Sequence, residues 1–146
     1  MKQFKFLFFL FTLFFLKTTF SLEMVSIKGS VVNFRKAPET NSKVLWQLTQ
    51  GYPLTLIKRQ GKWLKVKDFE NDTGWVAARF TSKIPHYVVK SKTANVRSGP
   101  GIKHKKIGRL ERYDVVKTIE KKPGWVFVDR LDGMKGWVAS KLLWGW

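Results

Sequence analysis

Residues 95–100 read Asn-Val-Arg-Ser-Gly-Pro, and sixty-two positions earlier residues 33–38 read Asn-Phe-Arg-Lys-Ala-Pro. The likeness continues without a gap from 33–80 onto 95–142. Leu48, Ile57, Trp63, Val66, Gly74, Trp75 and Val76 meet identical residues at Leu110, Ile119, Trp125, Val128, Gly136, Trp137 and Val138. Most of the matches are apolar residues, Gly or Pro, the types that fix a fold, so the chain reads as one small module used twice. The copies join between Thr81 and His86, where Pro85 interrupts the pattern. Each copy is close to the smallest size that buries a useful core, roughly 60 per cent of its unfolded surface.

Within each copy the signals are those of short strands. Leu54-Thr55-Leu56-Ile57 and Val115-Val116-Lys117-Thr118-Ile119 are β-prone, and Trp63-Leu64-Lys65-Val66-Lys67 alternates apolar with polar residues. Turn residues separate them at Gln60-Gly61-Lys62, Asn71-Asp72-Thr73-Gly74, Lys122-Pro123-Gly124 and Asp132-Gly133. The spacing predicts small barrels or sandwiches, with at most a short helical turn after each Gly-Trp-Val. In Ser98-Gly99-Pro100-Gly101 the glycines are expected to supply backbone angles closed to other residues, beside a Pro100 of fixed φ. Gly74 and Gly136 are expected to end turns, and Trp63, Trp75, Trp125 and Trp137 to be structural and largely buried. Arg35 and Arg97 are expected to anchor loop carbonyls.

Ala94-Asn95-Val96-Arg97-Ser98-Gly99-Pro100-Gly101, then Ile107-Gly108-Arg109-Leu110, Gly124-Trp125-Val126-Phe127-Val128 and Gly136-Trp137-Val138, resembles a bacterial SH3-like domain almost element by element. The first copy is similar but divergent at Asn33-Phe34-Arg35-Lys36-Ala37-Pro38. With Lys43-Val44-Leu45-Trp46 and the terminal Leu143-Trp144-Gly145, the whole is most similar to the exported tandem SH3-like proteins of alphaproteobacteria, which have no catalytic partner domain. The resemblance covers nearly all of residues 30–145. It implies an all-β chain of two tandem small SH3-like β-barrels, at 25–82 and 86–146. It implies less about function, because family members serve as cell-wall-targeting, peptide-binding or purely structural modules.

The N-terminus stands apart from both copies. Lys2 and Lys5 precede an apolar run from Phe6 to Leu16, and eight of the twelve Phe fall within residues 4–20. The run is too short to span a bilayer of about 30 Å as a helix but fits a secretory signal over 1–21, cut after Ser21; the alternative is an uncleaved anchor. Removing Lys2, Lys5 and Lys17 lowers the net charge from +18 to +15. The expected location is outside the cytoplasm, by the family resemblance a periplasm. The sequence contains no Cys, so stability in that oxidising setting must come from packing rather than disulfides.

Composition also narrows the chemistry. Without Cys, thiol nucleophiles and Cys-bearing zinc sites are excluded, and His86 and His104 have no metal-ligand companions in the sequence. No Gly-x-Ser-x-Gly elbow or glycine-rich phosphate loop is present. Asp68-Phe69-Glu70-Asn71-Asp72-Thr73-Gly74 is like a calcium loop, but its glycine comes one place late and Arg79 stands where a bidentate Glu is needed, so no site is expected there. The expectation is a non-catalytic protein without cofactor or metal.

Binding remains. The second copy concentrates positive charge at Lys103, His104, Lys105, Lys106, Arg109 and Arg112. The excess of 21 Lys over 7 Arg is also what a solvated face looks like. The first of three functional classes is an envelope module holding peptidoglycan or another anionic envelope polymer. Its aromatic residues for sugar or peptide faces would be Trp46, Tyr52, Tyr113, Trp144 and Trp146, with Lys103, Lys105, Lys106 and Arg109 as a charged rim. For Trp46 a place in the core is equally open, because Val44, Trp46 and Leu48 alternate onto one face. The second class is an assembly module that docks an envelope protein, for which Leu142-Leu143-Trp144-Gly145-Trp146 either seals the fold or forms an apolar patch. The third, specific nucleic-acid binding, is argued against by export and by the lack of an aromatic RNA-binding sheet motif.

Overall fold

The computed structural model describes residues 21–146, so the expected signal segment lies outside the described residues apart from Ser21. The chain forms two seven-stranded antiparallel sheets. The first comprises β1 (Met24–Ile27), β2 (Val31–Arg35), β3 (Val44–Thr49), β4 (Pro53–Gln60), β5 (Trp63–Lys67), β6 (Thr73–Ala77) and β7 (Thr81–Ser82). The second comprises β8 (His86–Val89), β9 (Thr93–Arg97), β10 (Lys106–Glu111), β11 (Val115–Lys122), β12 (Trp125–Asp129), β13 (Lys135–Ala139) and β14 (Leu143–Gly145). Strand order is β3-β2-β6-β5-β4-β1-β7 in one and β10-β9-β13-β12-β11-β8-β14 in the other, the same path traced twice. A short 3-10 turn follows each Gly-Trp-Val strand, at Ala78–Phe80 and Ser140–Leu142. The protein is thus all-β, with two small SH3-like units in tandem.

Alternation sets the core. In β5 and β12 every second residue is buried: Leu64 and Val66 in one, Val126 and Val128 in the other. Phe34 is the largest of the fully buried side chains in the first core, and burial of such a ring contributes about 1.5–3 kcal/mol. Each hairpin that follows the long strand is bulged: register slips between Leu56 and Lys58, and between Thr118 and Glu120. The slip turns the repeated Ile57 and Ile119 outward, so both stand about half exposed. These two identities therefore mark a conserved-looking irregularity between the copies rather than core packing, because a bulge residue has no partner across the ladder.

The glycines do different work from that expected. Gly74 lies inside β6 rather than ending a turn, and a Cβ there would stand 2.2 Å from the Phe34 ring. Gly136, its counterpart, leaves the same kind of room for Val96. Gly99 and Gly101 keep out of the left-handed region; Gly99 instead admits the His104 ring, 2.5 Å from where its Cβ would lie. Close approach, not backbone freedom, is what these positions require. Trp75 and Trp137 are buried, each with a lysine ammonium above its ring, Lys58 at 5.6 Å and Lys122 at 5.2 Å. Trp63 and Trp125 are only half-buried. Arg35 donates to the Ser42 carbonyl at 2.8 Å, and Arg97 to those of Ile102 and His104, the anchoring expected of both.

The two units share apolar surface. Val88 belongs to the first core cluster, and Val115 and Trp144 pack against it although all three lie in the second repeat. His86 is buried at this seam with Nδ1 2.9 Å from the Ile84 carbonyl oxygen, its ring filling the space beside Gly51.

Two outcomes follow from this packing. Gly74→Ala is expected to cost about 1–3 kcal/mol by overpacking against Phe34, read as a lowered midpoint in urea. Burial holds the His86 pKa below its ordinary 6.5, so the unfolded chain takes up a proton that the folded chain resists. That contribution to stability is complete above about pH 6.5 and is lost as pH falls below it. A melting series from pH 7.5 to 5 should therefore fall more steeply for the native chain than for His86→Gln; equal slopes would discount the histidine.

Candidate ligand-binding site

Three of the five aromatic residues singled out from the sequence line one cavity at the seam. It measures about 350 Å³ and is walled by Trp46, Gln47, Leu48 and Thr49 of β3, by Tyr52, by Asp68, Glu70 and Asp72, and by Tyr113 of the second repeat. Trp46 stands directly opposite Phe34 in the β2–β3 ladder, just before the register slips between Phe34 and Arg35. Its indole lies flat on the Phe34 ring, centroids 4.9 Å apart and planes 8° apart, with 38% of the residue exposed. Trp46 and Leu48 stand opposite the buried Phe34 and Val32 and so share the core face, with only Leu48 buried, whereas Val44, beyond the slip, is exposed. Trp46 is half packing and half surface, the amphipathic placement in which an aromatic ring serves recognition.

The acidic side of the cavity is a folded turn between β5 and β6. Asp68 Oδ1 accepts backbone N–H groups from Glu70 and Asp72, both at 2.9 Å, and Asn71 takes the left-handed conformation, φ 69°. The alternate residues Asp68, Glu70 and Asp72 thus face one side, where a carboxylate oxygen of each lies within 4.8 Å of the others. Sequence reasoning weighed these three only as a calcium loop and discounted them. Their i, i+2, i+4 spacing across a turn was the signal available. Asp68 is buried, and desolvation raises its pKa above the ordinary carboxylate value; Glu70 is exposed and lowered, chiefly by its hydrogen bond from Arg112.

Tyr113 closes the cavity from the second repeat. It sits in the left-handed region, φ 72°, at the position that Gly51, φ 80°, holds in the first. For a side chain with a Cβ this costs about 1–2 kcal/mol. Its contacts offset the strain: the hydroxyl donates to Glu70 Oε1 at 3.0 Å and the ring meets Phe69 with centroids 5.8 Å apart. Arg112 joins the same oxygen at 2.8 Å and lies over Phe69 and Tyr113. It therefore belongs to the seam, not to the basic surface with which the charge pattern grouped it.

The other singled-out residues lie elsewhere. Lys103, Lys105 and Lys106 are exposed around the β9–β10 turn, and Arg109 pairs with Glu111 at 2.6 Å. Trp144 packs on Phe69, centroids 6.4 Å apart, and against the first core, so it seals the seam. Trp146 is half-buried; its N–H donates to the His86 carbonyl at 3.1 Å and its own carbonyl accepts from Thr118 at 2.8 Å. A second depression of about 480 Å³, lined among others by Val31, Arg35, Trp63, Arg79 and Phe80, opens on the first unit. No helix among the described residues is long and apolar enough to cross a membrane.

Two SH3-like sheets thus dock around an aromatic and acidic cavity. The profile of the bacterial SH3 domain matches residues 30–82 and again 92–143, and the chain belongs to that family. It is 24% identical over 141 residues to the putative N-acetylmuramoyl-L-alanine amidase YrvJ of Bacillus subtilis, a match covering 84% of this chain and 27% of that protein. Among solved structures, an NlpC/P60 family protein from Bacillus cereus aligns with TM-score 0.41 and 16% identity, over 85% of this chain and 56% of that one. The CBD of the endolysin LysPBC5 aligns with TM-score 0.36 and 13% identity, over 85% and 93%. The chain thus spans about a quarter of the length of its curated relative.

Phe69 is the aromatic hinge of the seam, in contact with Tyr113, Trp144 and Arg112 at once. Phe69→Ala is expected to lower stability by about 2 kcal/mol, less than for a fully buried ring. Amide exchange should accelerate at Tyr113 and Trp144 while the Val126 and Val128 amides stay protected.

Proposed function

We propose that this protein is a non-catalytic cell-envelope binding module that holds the peptide or glycan of the wall at the cavity between its two SH3-like units, 25–82 and 86–146. The observation that carries this reading is the convergence of Trp46, Tyr52 and Tyr113, supplied by both units, on one accessible cavity. Aromatic faces suit sugar rings and peptide planes, and the acidic turn suits their donors. Membership of the bacterial SH3 domain family and the match to a relative whose name specifies an N-acetylmuramoyl-L-alanine linkage support the same class of ligand. In this reading 1–21 is an export signal, the location is periplasmic or secreted, and the exposed Lys103, Lys105 and Lys106 add attraction to anionic envelope polymers. The partner is a cell-wall glycopeptide, and no cofactor or metal takes part. Docking of an envelope protein by the C-terminal tryptophans is disfavoured, since Trp144 is already spent on the seam.

Co-sedimentation with purified sacculi tests the reading. The chain should pellet with sacculi and continue to do so at about 0.5 M salt, where purely electrostatic adhesion to polyanions has collapsed. Trp46→Ala should weaken pelleting about tenfold or more, as truncation of a central aromatic contact does. Failure to pellet at low salt would overturn the proposal.

A further inference from the structure

The outer face of the first unit carries a groove distinct from the seam cavity. It holds about 480 Å³, with Val31, Trp63 and Phe80 as apolar walls and Arg35, Lys62 and Arg79 beside them; no carboxylate lines it. Val31 is 57% exposed and Phe80 38%. Hydrogen bonds fix the walls: the Ala78 N–H donates to the Lys62 carbonyl at 2.9 Å, the Lys28 N–H to that of Phe80 at 2.8 Å, and Arg35 to that of Ser42 at 2.8 Å. The Arg79 guanidinium lies over the Phe80 ring, 4.6 Å from its centroid. A second, independent observation adjoins the groove. Lys58, Lys65, Trp75 and Arg35 stand opposite one another in turn across β4, β5, β6 and β2. Like charges directly opposite destabilise a ladder, yet Lys58 and Lys65 face each other with no carboxylate paired to either. Among the described residues none of Arg35, Lys58, Lys62, Lys65 and Arg79 forms a salt bridge. The second repeat has Arg97, Glu120, Gly124, Phe127 and Lys141 at these positions, and Leu142 in place of Phe80. Five cations there become two and a carboxylate, so the unpaired charge is particular to the first unit.

We propose that this groove binds the C-terminal carboxylate of a peptide whose last residues are apolar, the carboxylate held by Arg79 and Lys62 and the side chains lying against Trp63, Phe80 and Val31. A carboxylate brings acceptors and no donor, the complement of guanidinium and ammonium groups, which donate only. A guanidinium seated on an aromatic ring keeps its fork of N–H groups for a pair of oxygens. The row of Lys58, Lys65 and Arg35 beside the groove raises the local concentration of an anion without needing to touch it. The apolar walls set the rest of the ligand. A phosphodiester chain would gain the charge contacts but leave Val31 and Phe80 uncovered, whereas apolar side chains bury them, and the volume suits about two or three residues. The inference goes beyond the wall-binding proposal. The groove lies on one unit alone, its charge is opposite to that of the acidic seam cavity, and it stands whether or not sacculi are bound.

The test is an NMR titration of the chain with Nα-acetyl-L-leucyl-L-alanine, with its C-terminal amide, and with inorganic phosphate, at about 0.15 M salt so that distant charges are screened. The acid should move the Trp63 indole and Phe80 ring resonances, and the amide should bind about tenfold more weakly or not at all. The Trp125 indole, with Gly124 and Lys141 in place of Lys62 and Arg79, should stay where it is. Arg79→Gln and Lys62→Gln, both changes of exposed side chains, should each weaken the acid about tenfold, the effect of one charge-assisted hydrogen bond. Their melting midpoints should match that of the native chain. Trp46→Ala, at the seam, should leave the titration unaltered. Equal response to acid and amide, equal movement of Trp125, or no response to the acid overturns the inference. Phosphate that moves Trp63 as strongly as the acid overturns it in favour of a general anion site, and a response abolished by Trp46→Ala overturns it in favour of the seam cavity.

Discussion

Apolar contact across the seam is the constraint on which the rest of the molecule depends. Val88, Val115 and Trp144 belong to the second repeat by sequence but pack into the first core. Each unit is small enough that its own interior is a marginal source of stability, and the chain has no Cys with which to add cross-links. Burying further apolar surface between the units is the remaining resource. It also has a geometric effect, because it holds Tyr113 against the acidic turn and so brings the two halves of the cavity together. The cavity is therefore a by-product of how two small cores shelter each other.

The repeat made the architecture readable. Identity at Trp63, Gly74, Trp75 and Val76 with their partners signalled that the same path is traced twice, and alternation in β5 and β12 located their buried faces. Function was legible only as a class of residue. Trp46, Tyr52 and Tyr113 could be singled out as aromatic residues in excess of the core pattern, but nothing local places Tyr113 beside Tyr52; that proximity is set by a docking angle between units. Arg112 was grouped with the basic loop because sequence shows charge and not direction. The acidic turn was discounted for want of calcium ligands further along the chain, although its backbone brings the three carboxylates together without them. Ile57 and Ile119 show the converse: an identity that looks like core can mark a bulge.

Repetition and divergence are divided between the copies in a physically sensible way. What recurs is packing, such as the missing Cβ at Gly74 and Gly136 that lets a neighbouring side chain lie against the strand. What differs is the turns at the seam: Gly51 against Tyr113, Asp68 against Arg130, Asp72 against Met134. The first copy contributes the acidic turn, and the second the strained tyrosine and the arginine that meet it. Two copies of either kind alone would lack one wall.

That division bears on how far such an array can grow. A unit docking on the second repeat as the second docks on the first would need the acidic turn that the first presents to Arg112 and Tyr113; there it would meet Arg130, already satisfied by Asp132 and Asp114. It would also find β14 already paired along β8 and Trp146 fastened through both its N–H and its carbonyl. The two repeats are thus unlike at corresponding turns, the first presenting carboxylates to its neighbour and the second an arginine already paired within its own unit.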